Sequence, residues 1–109
     1  MRILVTGGRY YSDIEKVREV LSLYKNITLV NGGARGADSL CVQVAKELGF
    51  NIETHNAKWN LYGKIAGAIR NAEMVDSDID LCIAFPGGRG TEDCVRRAEE
   101  KGIKVIKIS

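Results

Sequence analysis

The sequence predicts an α/β chain in which a parallel five-stranded sheet of order 3-2-1-4-5 lies between two layers of helices. Three observations carry that expectation. Short apolar runs of strand length alternate with longer runs of helical period through all 109 residues. The resulting order is β-α-β-α-β-α-β-α-β, and right-handed crossovers fold such a chain into a Rossmann-like three-layer sandwich. Glycine loops follow the first, second and fourth strand runs, and a parallel sheet brings all three to one edge. Residues 1–109 read as one domain, with no linker or low-complexity tract.

Each element has a local reason. Arg2 to Thr6 is a strand run. Ser12-x-x-Glu15 reads as a capping box that opens a helix with Ile14, Val17, Leu21 and Tyr24 on one face. Ile27 to Val30 is the second strand. Asp38 to Leu48 is a helix with Leu40, Cys41, Val44, Ala45 and Leu48 inward, stopped by Gly49. Phe50 to Thr54 is a third, weaker strand. Lys64 to Val75 is helical, with Ile65, Ala68, Ile69 and Ala72 as its apolar side. Leu81 to Ala84 is a buried strand. Thr91 is the expected N-cap of the next helix, which ends at Gly102, and Lys104 to Ile108 is the last strand.

Composition bounds the function. Lys plus Arg is 16 and Asp plus Glu is 14, a net charge of +2. That balance argues against nucleic acid or an anionic membrane as partner. The chain is expected to lack a signal peptide and a membrane span, and to be cytoplasmic. Its three cysteines, Cys41, Cys82 and Cys94, fall inside predicted elements and read as reduced thiols. They lack ligand spacing and there is one His, so no metal site and no cofactor are expected.

The three loops carry the chemistry. They are Thr6-Gly7-Gly8-Arg9, Asn31-Gly32-Gly33-Ala34-Arg35-Gly36-Ala37-Asp38 and Phe85-Pro86-Gly87-Gly88-Arg89-Gly90-Thr91. Glycines let backbone N–H groups approach a ligand, and the helix that follows adds its unpaired donors and positive dipole end. Arg9, Arg35 and Arg89 put one cation in each loop, which suits an anion such as phosphate. One such loop is commonly a tight turn; three at one edge point to a ligand site. The loops contain neither the dinucleotide fingerprint G-x-G-x-x-G nor a P-loop ending.

These loops also carry a resemblance. Together with Ala57-Lys58-Trp59, Gly63-Lys64-x-Ala66-Gly67 and Ile69-Arg70-Asn71-x-x-Met74, they make the whole chain resemble the YspA-type (cpYpsA-related) SLOG family. That superfamily includes the Lonely-guy phosphoribohydrolases and the fold of DNA-processing protein A. The resemblance implies a nucleotide-type ligand and self-association through helices beside the site. It makes Gly7, Gly8, Arg9, Gly32, Gly33, Arg35, Asp38, Arg70, Asn71, Pro86, Gly87, Gly88, Arg89, Gly90 and Thr91 the candidate nucleotide- and phosphate-binding residues. Lonely-guy enzymes cleave an N-glycosidic bond and are similar here at the Pro-Gly-Gly-x-Gly-Thr loop and at Arg70. Their catalytic Glu, three residues after the Thr, is replaced by Cys94. A thiol cannot stabilise an oxocarbenium-like transition state as a carboxylate does. Hydrolysis therefore requires Asp93 to take over, with Arg70 and Asp93 as the catalytic pair.

Three functions follow. One is a protein that binds a nucleotide or nucleotide-derived ligand, ADP-ribose-like or a cyclic nucleotide signal, for sensing or sequestration. The alternative is a phosphoribohydrolase-like N-glycosidase. The third, a single-strand DNA binder, lacks the expected basic stripe with interleaved aromatics. Other residues read either way. Asp93 is a dipole-compensating or a ligand-facing carboxylate. Asp38 is a helix cap or an ion-pair partner of Arg35, or else contacts ribose or base. Trp59 is core or a stacking surface, and His55 is structural. Cys94 packs inward, and Arg96 to Lys101 is a solvated face.

Overall fold

The computed structural model describes residues 1–109. Five strands join one sheet: β1 (Arg2–Thr6), β2 (Thr28–Asn31), β3 (Asn51–Thr54), β4 (Leu81–Ala84) and β5 (Val105–Lys107). All pairs are parallel and the order is β3-β2-β1-β4-β5, as the alternation of elements predicts. The helices are α1 (Ile14–Leu21), α2 (Ala37–Leu48), the short α3 (Trp59–Tyr62), α4 (Ala66–Val75) and α5 (Arg89–Glu100). A 3₁₀ turn, Gly63–Ile65, leads from α3 into α4.

The sheet separates two cores. On the α1/α2 side, Ile3, Val5, Val17, Leu21, Leu29, Val44 and Ile83 form the aliphatic centre of a cluster that also holds Cys41, Phe50 and Phe85. On the other side, Leu4, Val30, Met74, Val75, Cys82, Cys94 and Ala98 pack α4 and α5 onto the sheet. Strands buried on both faces need apolar residues at every position, which explains why Leu81 to Ala84 shows no alternation. No helix is long and apolar enough to cross a membrane.

Local expectations change at α1, α4 and α5, and at the end of α2, where Leu48 is exposed rather than inward. The cap of α1 is Asp13, not Ser12: its Oδ1 accepts from the Lys16 backbone N–H at 3.0 Å. The carboxylate displaces the hydroxyl by one position, so the helix begins at Ile14, stops at Leu21 and leaves Tyr24 in the following segment. The inward side of α4 is Ala66, Asn71, Met74 and Val75, whereas Ile65 is exposed and Ala68, Ile69 and Ala72 are only half-buried. Asn71 turns inward because α5 supplies it with partners. Thr91 is not an N-cap. Gly88 is, and Glu92 N–H bonds to the Gly88 carbonyl, so α5 starts inside the glycine loop with Thr91 at its third position.

Candidate functional site

The three glycine loops meet at the carboxyl ends of β1, β2 and β4, where the strand order reverses on either side of β1. They are tied to one another. Gly8 N–H donates to the Pro86 carbonyl at 2.9 Å, and the Gly8 carbonyl accepts from Ala37 N–H at 3.1 Å. Gly36, with φ +74°, lies against the backbone of Gly8 and Arg9, where a Cβ would overlap both carbonyl groups. Gly87 lies against Gly8 N and the Thr91 hydroxyl. Loop–loop contact therefore accounts for these glycines. It does not account for Gly88 and Gly90, where an added Cβ would meet nothing within 4 Å.

Between the loops lies a cleft of about 1320 Å³. Every candidate binding residue of the sequence lines it: Gly7, Gly8, Arg9, Gly32, Gly33, Arg35, Asp38, Arg70, Asn71, Pro86, Gly87, Gly88, Arg89, Gly90 and Thr91, together with Asp93. Tyr10, Tyr11, Asn56, Lys64, Gly67 and Ala68, which the sequence does not single out as site residues, line the cleft as well, and so does Trp59, read above as core or a stacking surface. Lys64, Gly67 and Trp59 stood within motifs that the family resemblance rests on, so a signal for them existed. Trp59 is not core. It is 49% exposed, and its ring edge lies 3.4 Å from where a Cβ on Gly67 would stand.

The helix ends differ in a useful way. The cap of α1 is its own Asp13, but α2, α4 and α5 begin without a side-chain cap. The cleft runs along the starts of these three uncapped helices, at Asp38, Gly67 and Gly88 to Thr91. The first N–H groups of a helix have no partner within it, so α5 presents donors there and the positive end of its dipole.

The arginines divide just as sharply. Arg2 grips Glu53 with both terminal nitrogens, at 2.9 and 2.7 Å, and Arg18 pairs with Glu15 and Glu47. Arg96 and Arg97 both pair with Asp93. Arg70 donates to the Gly32 carbonyl and, at 3.0 Å, to Asn71 Oδ1. The remaining three, Arg9, Arg35 and Arg89, are exposed and enter no ion pair or hydrogen bond within the chain. They are the three loop arginines.

Two carboxylates reach the cleft. Asp93 accepts from Asn71 Nδ2 at 3.0 Å, Arg96 at 2.8 Å and Arg97 at 2.9 Å. Burial alone would raise its pKa, but these donors outweigh burial and lower it below the usual Asp range. A carboxyl so held stays ionised and cannot serve as a proton donor. Asp38 is buried, and its Oδ2 accepts from Gly32 N–H at 3.0 Å and Ala34 N–H at 3.2 Å. Burial raises its pKa, opposed by the Ala34 bond, the Arg70 charge and the Gly32 bond. The expected ion pair with Arg35 does not form: the loop turns its own amides onto the carboxylate and leaves Arg35 in solvent.

The remaining expectations resolve simply. Cys94 is fully buried under the loop with its thiol beside Cys82 and Thr6. His55 Nε2 pairs with Glu53 Oε2 at 2.7 Å at the end of β3, a structural contact. Most of the Arg96 to Lys101 face is solvated, but Arg97 is half-buried because it holds Asp93.

Fold and cleft together define a Rossmann-like α/β protein whose strand ends open on a glycine-lined, arginine-bearing edge. The family model described as "YspA, cpYpsA-related SLOG family" matches residues 1–62. The Gene 61 protein of Mycobacterium phage D29 is 43% identical, over 98% of this chain and 95% of its own length. The C-terminal domain of a Pyrococcus furiosus hydrogenase has the same fold, with a TM-score of 0.53 at 18% identity over 98% of this chain and 90% of its own. The chain belongs to the YspA, cpYpsA-related SLOG family. Membership suggests a role in binding or processing a nucleotide-related ligand.

Proposed function

We propose that the cleft binds a nucleotide or nucleotide-derived ligand, ADP-ribose-like or a cyclic nucleotide, and that the protein senses or sequesters it. One observation carries this reading. The three arginines without a partner in the chain are those of the three glycine loops, all three line the cleft, and Arg89 is the first residue of the uncapped α5. Unpaired guanidinium groups lining one cleft with a helix N-terminus suit the oxygens of a phosphate. Gly88 and Gly90 support it, since their missing side chains leave open space on the cleft rather than room for another part of the fold. Trp59 and Tyr10 offer aromatic faces for a base.

Binding is better supported than cleavage. The hydrolase reading needs Asp93 as a working carboxylate, and Asp93 is taken up by three donors. In this reading Arg70 and Asn71 shape the cleft, and Arg9, Arg35, Arg89 and Thr91 meet the ligand. A cytoplasmic setting agrees with three buried, unbridged thiols. Self-association agrees with the exposed apolar side chains Leu61, Tyr62 and Ile65 beside the cleft. Native mass spectrometry of the purified protein, followed by calorimetric titration with nucleoside mono- and diphosphates, ADP-ribose and cyclic nucleotides, tests the binding reading. A bound mass or a saturable heat without release of free base is expected. Release of base would favour the hydrolase, and absence of any binding would end the reading.

A further inference from the structure

The two carboxylates of the cleft are not equivalent, and the difference has a chemical meaning. Asp93 uses both oxygens: Oδ1 accepts from Arg96, and Oδ2 from Asn71 and Arg97. Asp38 is only 6% exposed and uses one. Its Oδ2 takes the Gly32 and Ala34 amides, and Oδ1 accepts nothing from the chain. No buried side-chain oxygen is both sealed from solvent and unpartnered, so Oδ1 opens onto the cleft that Asp38 lines.

A buried carboxylate oxygen facing a ligand site calls for a donor. A phosphate cannot be that donor, because its oxygens are anionic acceptors and would repel the carboxylate. The donor belongs to a neutral part of the ligand. Two parts of a nucleotide carry donors, the sugar hydroxyls and the base. Depth separates them. Asp38 lies at the base of the loop, where Gly32 is gripped by Asp38 from its N–H and by Arg70 from its carbonyl. The aromatic faces that suit a base are far more open: Trp59 is 49% exposed and Tyr10 96%.

We infer that Asp38 Oδ1 receives a ribose hydroxyl, which makes the cleft selective for ribonucleotide-type ligands over their deoxy counterparts. This rests on the nucleotide reading above and goes further, since it assigns the sugar recognition to one atom. Burial strengthens the case, because a hydrogen bond to an ionised acceptor in a low-dielectric place is stronger than one in water. A ligand that lacks the hydroxyl displaces water from Oδ1 without replacing its hydrogen bond, and sites built around a hydroxyl reject such analogues strongly.

The test is a calorimetric titration of the full chain. The tightest-binding of the AMP, ADP, GMP, GDP, CMP, CDP, UMP and UDP set is compared with its 2′-deoxy and 3′-deoxy forms. Loss of one hydroxyl is expected to weaken binding by about tenfold or more. Equal affinity for all three forms would overturn the role of Asp38 while leaving nucleotide binding intact. No binding of any of the set, of ADP-ribose or of cyclic nucleotides would overturn both. Asp38→Asn supplies the second arm. Its amide oxygen still accepts from Gly32 and Ala34, but its NH₂ faces the cleft in place of an acceptor. This variant trades a charge-assisted bond for a neutral one from the amide to the hydroxyl oxygen, so the ribo-over-deoxy preference is expected to fall by about tenfold, and a preference kept at the wild-type level would contradict the assignment.

Discussion

The two walls of the cleft are built in different ways. The wall from β1, β2 and α2 is held by backbone. Gly8 bonds to Ala37 and Pro86, Gly36 touches the main chain of Gly8 and Arg9, and Asp38 Oδ2 collects amides of its own loop. The wall from α4 and α5 is held by side chains, through the series Gly32 carbonyl, Arg70, Asn71, Asp93 and Arg97. Their cores differ in the same sense. Aliphatic side chains with Cys41, Phe50 and Phe85 fill the first, while the second contains Cys82, Cys94 and Met74 beneath the polar series. The backbone-built wall has its shape from packing and close approach, so its loop tips and the unpartnered Asp38 Oδ1 are what it leaves free to meet a ligand. The other wall spends charged groups on its own shape, and its free cation, Arg89, stands at the helix start.

This contrast can be broken at its strongest point first. Gly36→Val places a β-branched side chain at φ +74° against two carbonyl groups. It is expected to lose roughly 3 kcal/mol or more of stability, or to prevent folding. Urea unfolding with an unchanged midpoint would show that backbone contact does not hold the first wall. Next is Arg70→Ala, which removes a charged donor from the Gly32 carbonyl and from Asn71. A loss of about 1.5–3 kcal/mol is expected, together with loss of ligand binding. Arg70→Lys should not restore either, because a single ammonium cannot match the guanidinium at both acceptors. If Arg70→Lys restores both, the side-chain series is not what shapes the second wall.

A third variant sharpens the contrast by moving stability and binding in opposite directions. Gly90 is a helical position with nothing near its missing side chain. Gly90→Ala should stabilise the fold by about 0.5–1 kcal/mol through helix propensity, and should weaken ligand binding by filling the cleft. A stabilised variant with wild-type affinity would leave Gly90 without a ligand reason. The smallest effect lies far from the cleft. Hydrogen bonds from Arg2 first, and then from His55, hold Glu53 down to about pKa 2. A carboxylate with a depressed folded-state pKa contributes stability above the unfolded-state value. That contribution is lost as pH falls from about 4.5 toward 2. Because Glu53 is partly exposed, solvent screening keeps the effect small. The stability advantage of the wild type over Glu53→Gln should therefore shrink between pH 6 and pH 3 in parallel urea titrations. An advantage that grew toward acid would contradict the sign.

Much of this architecture is legible in the sequence because it is local. Strand runs, the stop at Gly49 and the loops after β1, β2 and β4 each announce themselves within a few residues. The strand order follows from their alternation and handedness. What escapes is what depends on distant partners. Nothing near Asn71 says that it faces inward, because its acceptors, Asp93 and the Gly90 carbonyl, come from the next helix. The stitch from Gly8 to Pro86 joins loops on two different strands. The early start of α5 escapes for another reason: Gly88, Arg89 and Gly90 have poor helix signals, and only the Gly88 carbonyl closing on Glu92 reveals the first turn. That these residues share one cleft is legible in the sequence; their division into those paired within the fold and those left free is not.

That division is most directly tested by calorimetric titration of the wild type and of Arg89→Ala with the same nucleotide, accompanied by matched thermal melts. Arg89 is exposed and unpaired, so its loss should leave stability within about 0.5 kcal/mol of wild type. Its affinity for the nucleotide should fall by about tenfold or more, the scale of a lost charge-assisted contact. Unchanged affinity in a folded Arg89→Ala protein would contradict the claim that the unpaired loop arginines are kept for an anionic ligand.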